Sequence, residues 1–355
     1  MKLFLQWTVI GPILAWILFF SGLIYDSGTF QIIASLLLGA SVMAAVHHSE
    51  VIAHKVGEPY GTIILAIAIT IIEVSIIISL MVAGGEEAEA LARDTIYSAV
   101  MLILNGIVGL CLFLGGLKFR EQIFSKHSGT IALVSLIAII ILTLIFPTFT
   151  TSVTGPYYSE PQLVFASVAC LIIYAFFLLA QTRRHRDYFL PQKDGEVIHE
   201  VVVTSTKMVV SLIFLLVSLG IVVLLAKTLS PTIENMVIAN NLPKSLVGVI
   251  IAAVILLPES IAAINAARKN RLQTSMNLAL GSALASIGLT IPCVAVVSSI
   301  YDMKIILGLD IKSIILLGLS VFIVMLSLVS GRTNFVYGAV LLVNLLAFIF
   351  LIIYP

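Results

Sequence analysis

Charge is what this chain has least of. Lysine, arginine, aspartate and glutamate together supply 10% of its 355 residues, 60% are hydrophobic, and the mean hydropathy is +1.17. A soluble globular domain carries about a quarter charged residues and a disordered chain lacks such apolar content, so both classes are excluded. With a formal net charge of +1 and no long run of one sign, nothing favours nucleic acid as a partner. There are three cysteines, Cys111, Cys170 and Cys293, without CxxC spacing and each inside an apolar run. They read as small core residues, which excludes a disulfide framework or a zinc centre. Walker A, Rossmann, nucleophile-elbow, HExxH and EF-hand patterns are all missing. Nucleotide-driven pumping and most enzyme chemistry go with them, and no cofactor is expected.

Long apolar runs fill the space that charge leaves. Windows of about 19 apolar residues predict an all-α polytopic membrane protein with about eleven transmembrane helices, near residues 6–25, 29–46, 61–83, 95–116, 129–149, 161–181, 203–227, 245–267, 277–299, 307–328 and 335–354. Such runs cannot be outer-membrane strands, which alternate and are half as long. The first run is too long for a signal-peptide core and is expected to remain as a helix. Fourteen of the 19 lysines and arginines fall on the side that holds the N-terminus. The positive-inside rule then puts the N-terminus inside and the C-terminus outside a cytoplasmic (inner or plasma) membrane, with the lipid bilayer as the obligate partner.

The longest polar interruption lies between spans six and seven. It divides the chain into an N-terminal helix (1–25), a first five-helix repeat (29–181), a cytoplasmic loop (182–202) and a second five-helix repeat (203–355). An odd number of spans per repeat forces the two copies into opposite orientations, the design of inverted-repeat transporters.

Two glutamates stand inside spans at matching places, Glu73 in the second span of the first repeat and Glu259 in the second span of the second. A carboxylate at bilayer depth costs roughly 2.5–3.5 kcal/mol on insertion scales, which makes it a functional-site candidate by default. Pro258 precedes Glu259 and lacks the N–H that would bond the carbonyl of Val254, so a kink and a freed oxygen are expected beside the carboxylate. Carboxylates and carbonyls are the ligands of hard cations. The transported partners expected here are inorganic cations and protons, competing for the same oxygens. Thr70, Ser75, Ser260, Ser282 and Ser286 are candidate accessory ligands, each with an alternative as a packing hydroxyl. His47, Glu50 and His54, at i, i+3 and i+7, share a helix face and could form a proton relay or metal site, or simply a wetted helix end. Glu58, before Pro59, suits either a cytoplasmic entrance or a helix N-terminus. The acidic stretch from Gly84 to Asp94 is an outer vestibule or a solvated loop.

The segments GEPYG at Gly57–Gly61, the Glu73 span, RDT at Arg93–Thr95, PESIAAINAARKNRLQTSMNLALGSALASIGLTIP from Pro258, and SGRTN at Ser330–Asn334 resemble the calcium/cation antiporter superfamily, in its calcium/proton exchanger branch. The resemblance covers nearly the whole chain. It implies exchange of calcium, sodium or potassium for protons, with Glu73 and Glu259 as the paired cation-binding glutamates. Members of that branch carry a Gly-Asn pair before each glutamate, a histidine after the second, and a glutamine in the following span. Here those positions read Ile69-Thr70 and Ile255-Leu256, Ser260, and Ala285. The loss of amide oxygens points toward weaker divalent binding, or toward sodium or potassium. Three alternatives stand beside antiport: a passive cation channel, a sodium-coupled exchanger, and an intramembrane metalloenzyme on His47, Glu50 and His54.

Overall fold

The structure, a computed structural model, describes residues 6–56, 60–84, 89–190, 204–240, 243 and 245–354. Its helices are α1 (Trp7–Ser21), α2 (Gly28–Val56), α3 (Tyr60–Gly84), α4 (Leu91–Met101), α5 (Val108–Phe119), α6 (Lys126–Ile140), α7 (Phe146–Phe149), α8 (Glu160–Leu179), α9 (Arg186–Phe189), α10 (Ser205–Ala239), α11 (Ser245–Arg268), α12 (Leu272–Tyr301), α13 (Ile311–Val329) and α14 (Phe335–Ile353). Two-residue strands β1 (Gln122–Ile123) and β2 (Arg332–Thr333) pair antiparallel. Three π-helical turns, at Leu102–Ile107, Ile141–Ile145 and Ala180–Arg184, join or extend α4–α5, α6–α7 and α8.

The helical membrane architecture is as expected. Among the described residues eight helices are long and apolar enough to cross a bilayer, and a ninth forms if Ser245–Leu257 and Glu259–Arg268, bent by 55°, make one span. Trp7–Ser21 and Thr70–Val82 are apolar but shorter. At 1.5 Å per residue the 15 residues of α1 rise about 22 Å, less than a ~30 Å hydrocarbon layer.

Several expected boundaries also move. The seventh span, predicted to end near 227, continues as α10 through Pro231 to Ala239. One missing N–H is tolerable where helix flanks it on both sides. Residues Leu307–Leu309, predicted to open the tenth span, are instead a buried connection ahead of α13. Ile306 donates its backbone N–H to Glu89 O (3.0 Å) and Leu309 to Leu144 O (2.9 Å). Cys111 and Cys170 are buried, whereas Cys293 is exposed on α12. In a membrane an apolar run serves a lipid-facing surface as well as a core, so hydropathy alone misplaces that cysteine.

Contacts divide the chain into two compact units that do not coincide with its sequence halves. One draws on Met1–Gly84 and Val197–Val247; its helices α2 and α10 pack along each other, with α1 and α3 against both. Trp16 of α1 donates its indole N–H to Val217 O of α10 at 3.1 Å. The other unit draws on Gly85–Glu196 and Gly248–Pro355. Its centre is formed by the spans Leu91–Phe119 and Leu272–Tyr301, 72% and 67% buried over their apolar windows, against 22% for Phe335–Ile353. Helix α14 packs on α5 through glycine. A Cβ at Gly338 would collide with the backbone N of Phe113 and lie 2.5 Å from Gly109 O, so only hydrogen fits there.

Candidate functional site

In the first unit, Glu73 lies on α3 with 4% of its surface exposed, and Thr70, one turn earlier, is equally buried. Ile72, Ile76, Ile77, Leu80 and Met81 are buried around it, which seats this carboxylate in an apolar helix. Ser75 is part-buried on the same helix.

In the second unit, Glu259 is 6% exposed and opens the second limb of the bent pair Ser245–Leu257 and Glu259–Arg268. The bend falls at Pro258, where the sequence removes a backbone donor. Ser282 of α12 donates its hydroxyl to Glu259 Oε1 at 2.9 Å. Ser286, one turn further along α12, is buried beside Ala285. Ser260 behaves differently, since its hydroxyl donates back to Leu256 O of its own helix at 2.6 Å. Val254 is part-buried on the first limb.

The second limb of α11 is tied to α12, β1 and α5 beyond the carboxylate. Ser275 donates to Ala263 O (2.7 Å), Gln122 Nε2 to Ala267 O (3.0 Å) and to Asn270 Oδ1 (3.1 Å), and Lys118 Nζ to Arg268 O (2.9 Å). Asn270 turns the chain at φ 59° between the helices. A buried carboxylate with a hydroxyl donor, a bend and a rigid neighbour can hold a proton or, by turning that hydroxyl's lone pair inward, help to hold a cation.

His47 and Glu50 lie part-buried on α2; the side chain of His54 and all of Glu58 lie outside the described residues. The neighbour that pattern reading passed over is His48. It is buried, its Nε2 sits 3.2 Å from Thr8 O, and its ring stacks on Phe214 at 5.5 Å. The His-His doublet was its only signal. Among the described residues no group of three His, Cys, Asp or Glu side chains is placed to hold a metal ion.

The acidic stretch before α4 partly resolves into helix. Arg93 and Asp94 pair at 2.7 Å within the first turn of α4, and Arg93 also donates to Gly308 O at 3.2 Å. Arg93 borders a cavity of about 580 Å³ with Thr148, Thr150, Thr154 and Asp310. Nearby, Tyr157 donates to Glu89 Oε2 at 3.0 Å, and burial followed by that carboxylate pushes the phenol's pKa above its ordinary value. Sequence reading also missed a buried polar node. Asn105, inside the first π-turn, donates to Ser320 Oγ (2.9 Å), and Asn344 donates to Asn105 Oδ1 (2.9 Å) and Ser320 Oγ (2.8 Å).

The profile of the sodium/calcium exchanger protein family matches residues 27–183 and 210–354, most of the chain. The chain belongs to the sodium/calcium exchanger family. It is 44% identical over 322 residues to the protein y4hA of Sinorhizobium fredii, which covers 91% of this chain and 88% of that one. It is 31% identical over 342 residues to the sodium-potassium/proton antiporter ChaA of Escherichia coli, which covers 94% and 92%. Among solved structures, the H+/Ca2+ exchanger CAX superposes with a TM-score of 0.71 over 96% of this chain and 87% of that one, at 15% identity, a likeness of fold. A sodium/calcium exchanger family protein is a secondary transporter, which removes the metalloenzyme alternative as the main activity.

Proposed function

We propose that the protein is an antiporter of the cytoplasmic membrane that exchanges inorganic cations for protons by alternating access, with Glu73 and Glu259 as the carboxylates for which cation and proton compete. The observation that carries this reading is Glu259 itself, buried in a bent span with a hydroxyl donor 2.9 Å away. An ionised carboxylate in that setting must be neutralised before its surroundings can rearrange, and either a cation or a proton does so. Obligatory neutralisation by one or the other is what couples their fluxes. The two separate family matches, over residues 27–183 and 210–354, support the two-repeat organisation, and the sodium-potassium/proton antiporter ChaA supports proton as the counter-ion.

Calcium, sodium and potassium are the cations considered, and the oxygen supply favours the monovalent pair. Ile255, Leu256 and Ala285 are buried close in sequence to the carboxylate and to Ser282, and none offers an oxygen from its side chain. Calcium takes 6–8 oxygens, so their absence weighs most against high-affinity calcium binding.

The test is proton flux into proteoliposomes that hold purified protein and a pH-reporting dye, challenged in turn with calcium, sodium and potassium. Cation-triggered proton movement is expected, abolished by Glu73→Gln and by Glu259→Gln in correctly inserted protein. Full exchange in either variant would remove the carboxylate mechanism, and cation flux without proton flux would point to a channel or a sodium-coupled exchanger.

A further inference from the structure

Tyr188 of α9 lies between two histidines. Its ring centroid is 5.1 Å from that of His127 in α6, at an interplanar angle of 29°, and 5.1 Å from that of His185, at 11°. All three side chains are exposed. The other end of α9 is sealed into the bundle. Phe189 is buried edge-on against Phe177 of α8 at 5.9 Å, and its carbonyl accepts a 2.6 Å hydrogen bond from Asn277 Nδ2 of α12. Gln273 continues the tie, donating to Asn277 Oδ1 (2.8 Å) and Ser128 Oγ (2.7 Å) and accepting from Ser125 N (2.6 Å). The four residues of α9 therefore bridge α6, α8 and α12. Helix α12 in turn carries Ser282, five residues beyond Asn277, bonded to Glu259.

We propose that the His127–Tyr188–His185 stack is a pH-operated clamp, which tightens α9 onto α12 and slows exchange when the compartment bathing α9 acidifies. Histidine is the side chain whose ordinary charge change falls between pH 5 and 8. A neutral imidazole gains only stacking from the phenol face, whereas an imidazolium gains cation–π attraction in addition. The charged residues of the segments that carry and adjoin the stack are Lys126 on α6, Arg183 and Arg184 on the π-turn, Arg186 and Asp187 on α9, and Arg271 at the start of α12. Most are cationic and oppose a further positive charge. Between exposed groups that repulsion is screened within about 8 Å at physiological ionic strength, while cation–π attraction acts at ring contact and Asp187 supplies a counter-charge. Protonation then closes the clamp. Holding α12 at Asn277 restrains the helix that presents Ser282 to the carboxylate, so turnover slows.

The inference rests on the antiporter reading for its consequence but not for the clamp itself, and two measurements separate them. In proteoliposomes at saturating cation, with pH set independently on each side, maximal exchange is expected to fall about two- to fivefold for each histidine protonated as the α9 side goes from pH 8 to pH 6. Competition of protons with cation at the glutamates acts on the half-saturating concentration instead. The fall should vanish in His127→Gln/His185→Gln and in Tyr188→Leu, both retaining full exchange at pH 8, and should persist in Tyr188→Phe. Hydrogen–deuterium exchange of the 180–190 amides, normalised at each pH to Tyr188→Leu, needs no transport and is expected to show protection that rises on acidification. An unchanged maximal-rate profile in the double variant, or protection that ignores pH, overturns the clamp. Protein that shows the protection but exchanges no ions at any pH instead overturns the antiporter reading.

Discussion

Replacing Ser282 with alanine tests a hydrogen bond on a candidate carboxylate. The hydroxyl donates to Glu259 Oε1 at 2.9 Å, and the substitution deletes it while leaving the part-buried backbone of α12 in place. A hydrogen bond to a charged acceptor contributes about 1.5–3 kcal/mol in soluble proteins. Interhelical bonds in membranes average about 0.6 and reach about 1.7 kcal/mol, because displaced groups find other partners. The membrane range governs here, and it corresponds to a rise in the half-saturating cation concentration of about 3- to 18-fold. The rise follows because the same oxygen that donates to an empty carboxylate can turn a lone pair to a bound cation. Cation titrations of exchange in proteoliposomes read the shift, with Ser282→Thr expected to recover most of it. Ser260→Ala serves as the contrast and should change little, since that hydroxyl is already spent on Leu256 O. An unshifted half-saturating concentration in Ser282→Ala, alongside an inactive Glu259→Gln, would make the bond a packing contact and refute its role in the site.

Two further predictions concern the frame. Gly338→Ala forces a methyl against the backbone of α5, 2.5 Å from Gly109 O and 2.7 Å from Phe113 Cα, and overpacking of this kind costs about 1–3 kcal/mol. The apparent Tm in detergent should drop by several degrees, whereas Gly318→Ala, where nothing lies within 4 Å of the new carbon, should leave it unchanged. Pro258→Ala restores the donor for Val254 O and is expected to reduce the 55° bend and depress turnover. Wild-type kinetics in a straightened helix would show that the freed carbonyl plays no part.

The periodic and the scarce were the legible features. Sustained apolar length marked the helices, and standing alone in apolar runs singled out Glu73 and Glu259 as candidates, both of them buried. Features that depend on a partner far along the chain left little trace. Ser282, a candidate ligand from its place in the following span, does meet Glu259 across 23 residues, but Asn105 meets Asn344 across 239, and a lone asparagine in a span does not announce its acceptor. Hydropathy also cannot distinguish lipid from protein as an apolar solvent, so it misplaced Cys293 and read the buried residues Leu307–Leu309 as the start of a span. The π-turn around Asn105 has no recognisable signature either, although such turns often mark functional places in helices.

The chemistry around Glu259 argues for the class of ion more firmly than the presence of a carboxylate does. A divalent cation gives up much more hydration energy than a monovalent one, so it depends more heavily on oxygens from the protein. The side chains of Ile255, Leu256 and Ala285 contribute none, and the Ser260 hydroxyl is turned to its own helix. Ser282 donates to the carboxylate, and Ser286 lies one turn beyond it on α12. Ligands of that kind, hydroxyls able to donate to an empty carboxylate and accept a cation in turn, suit a site that must release its ion whenever a proton arrives. On that ground weak, readily displaced sodium or potassium fits the proposed exchange better than tightly held calcium.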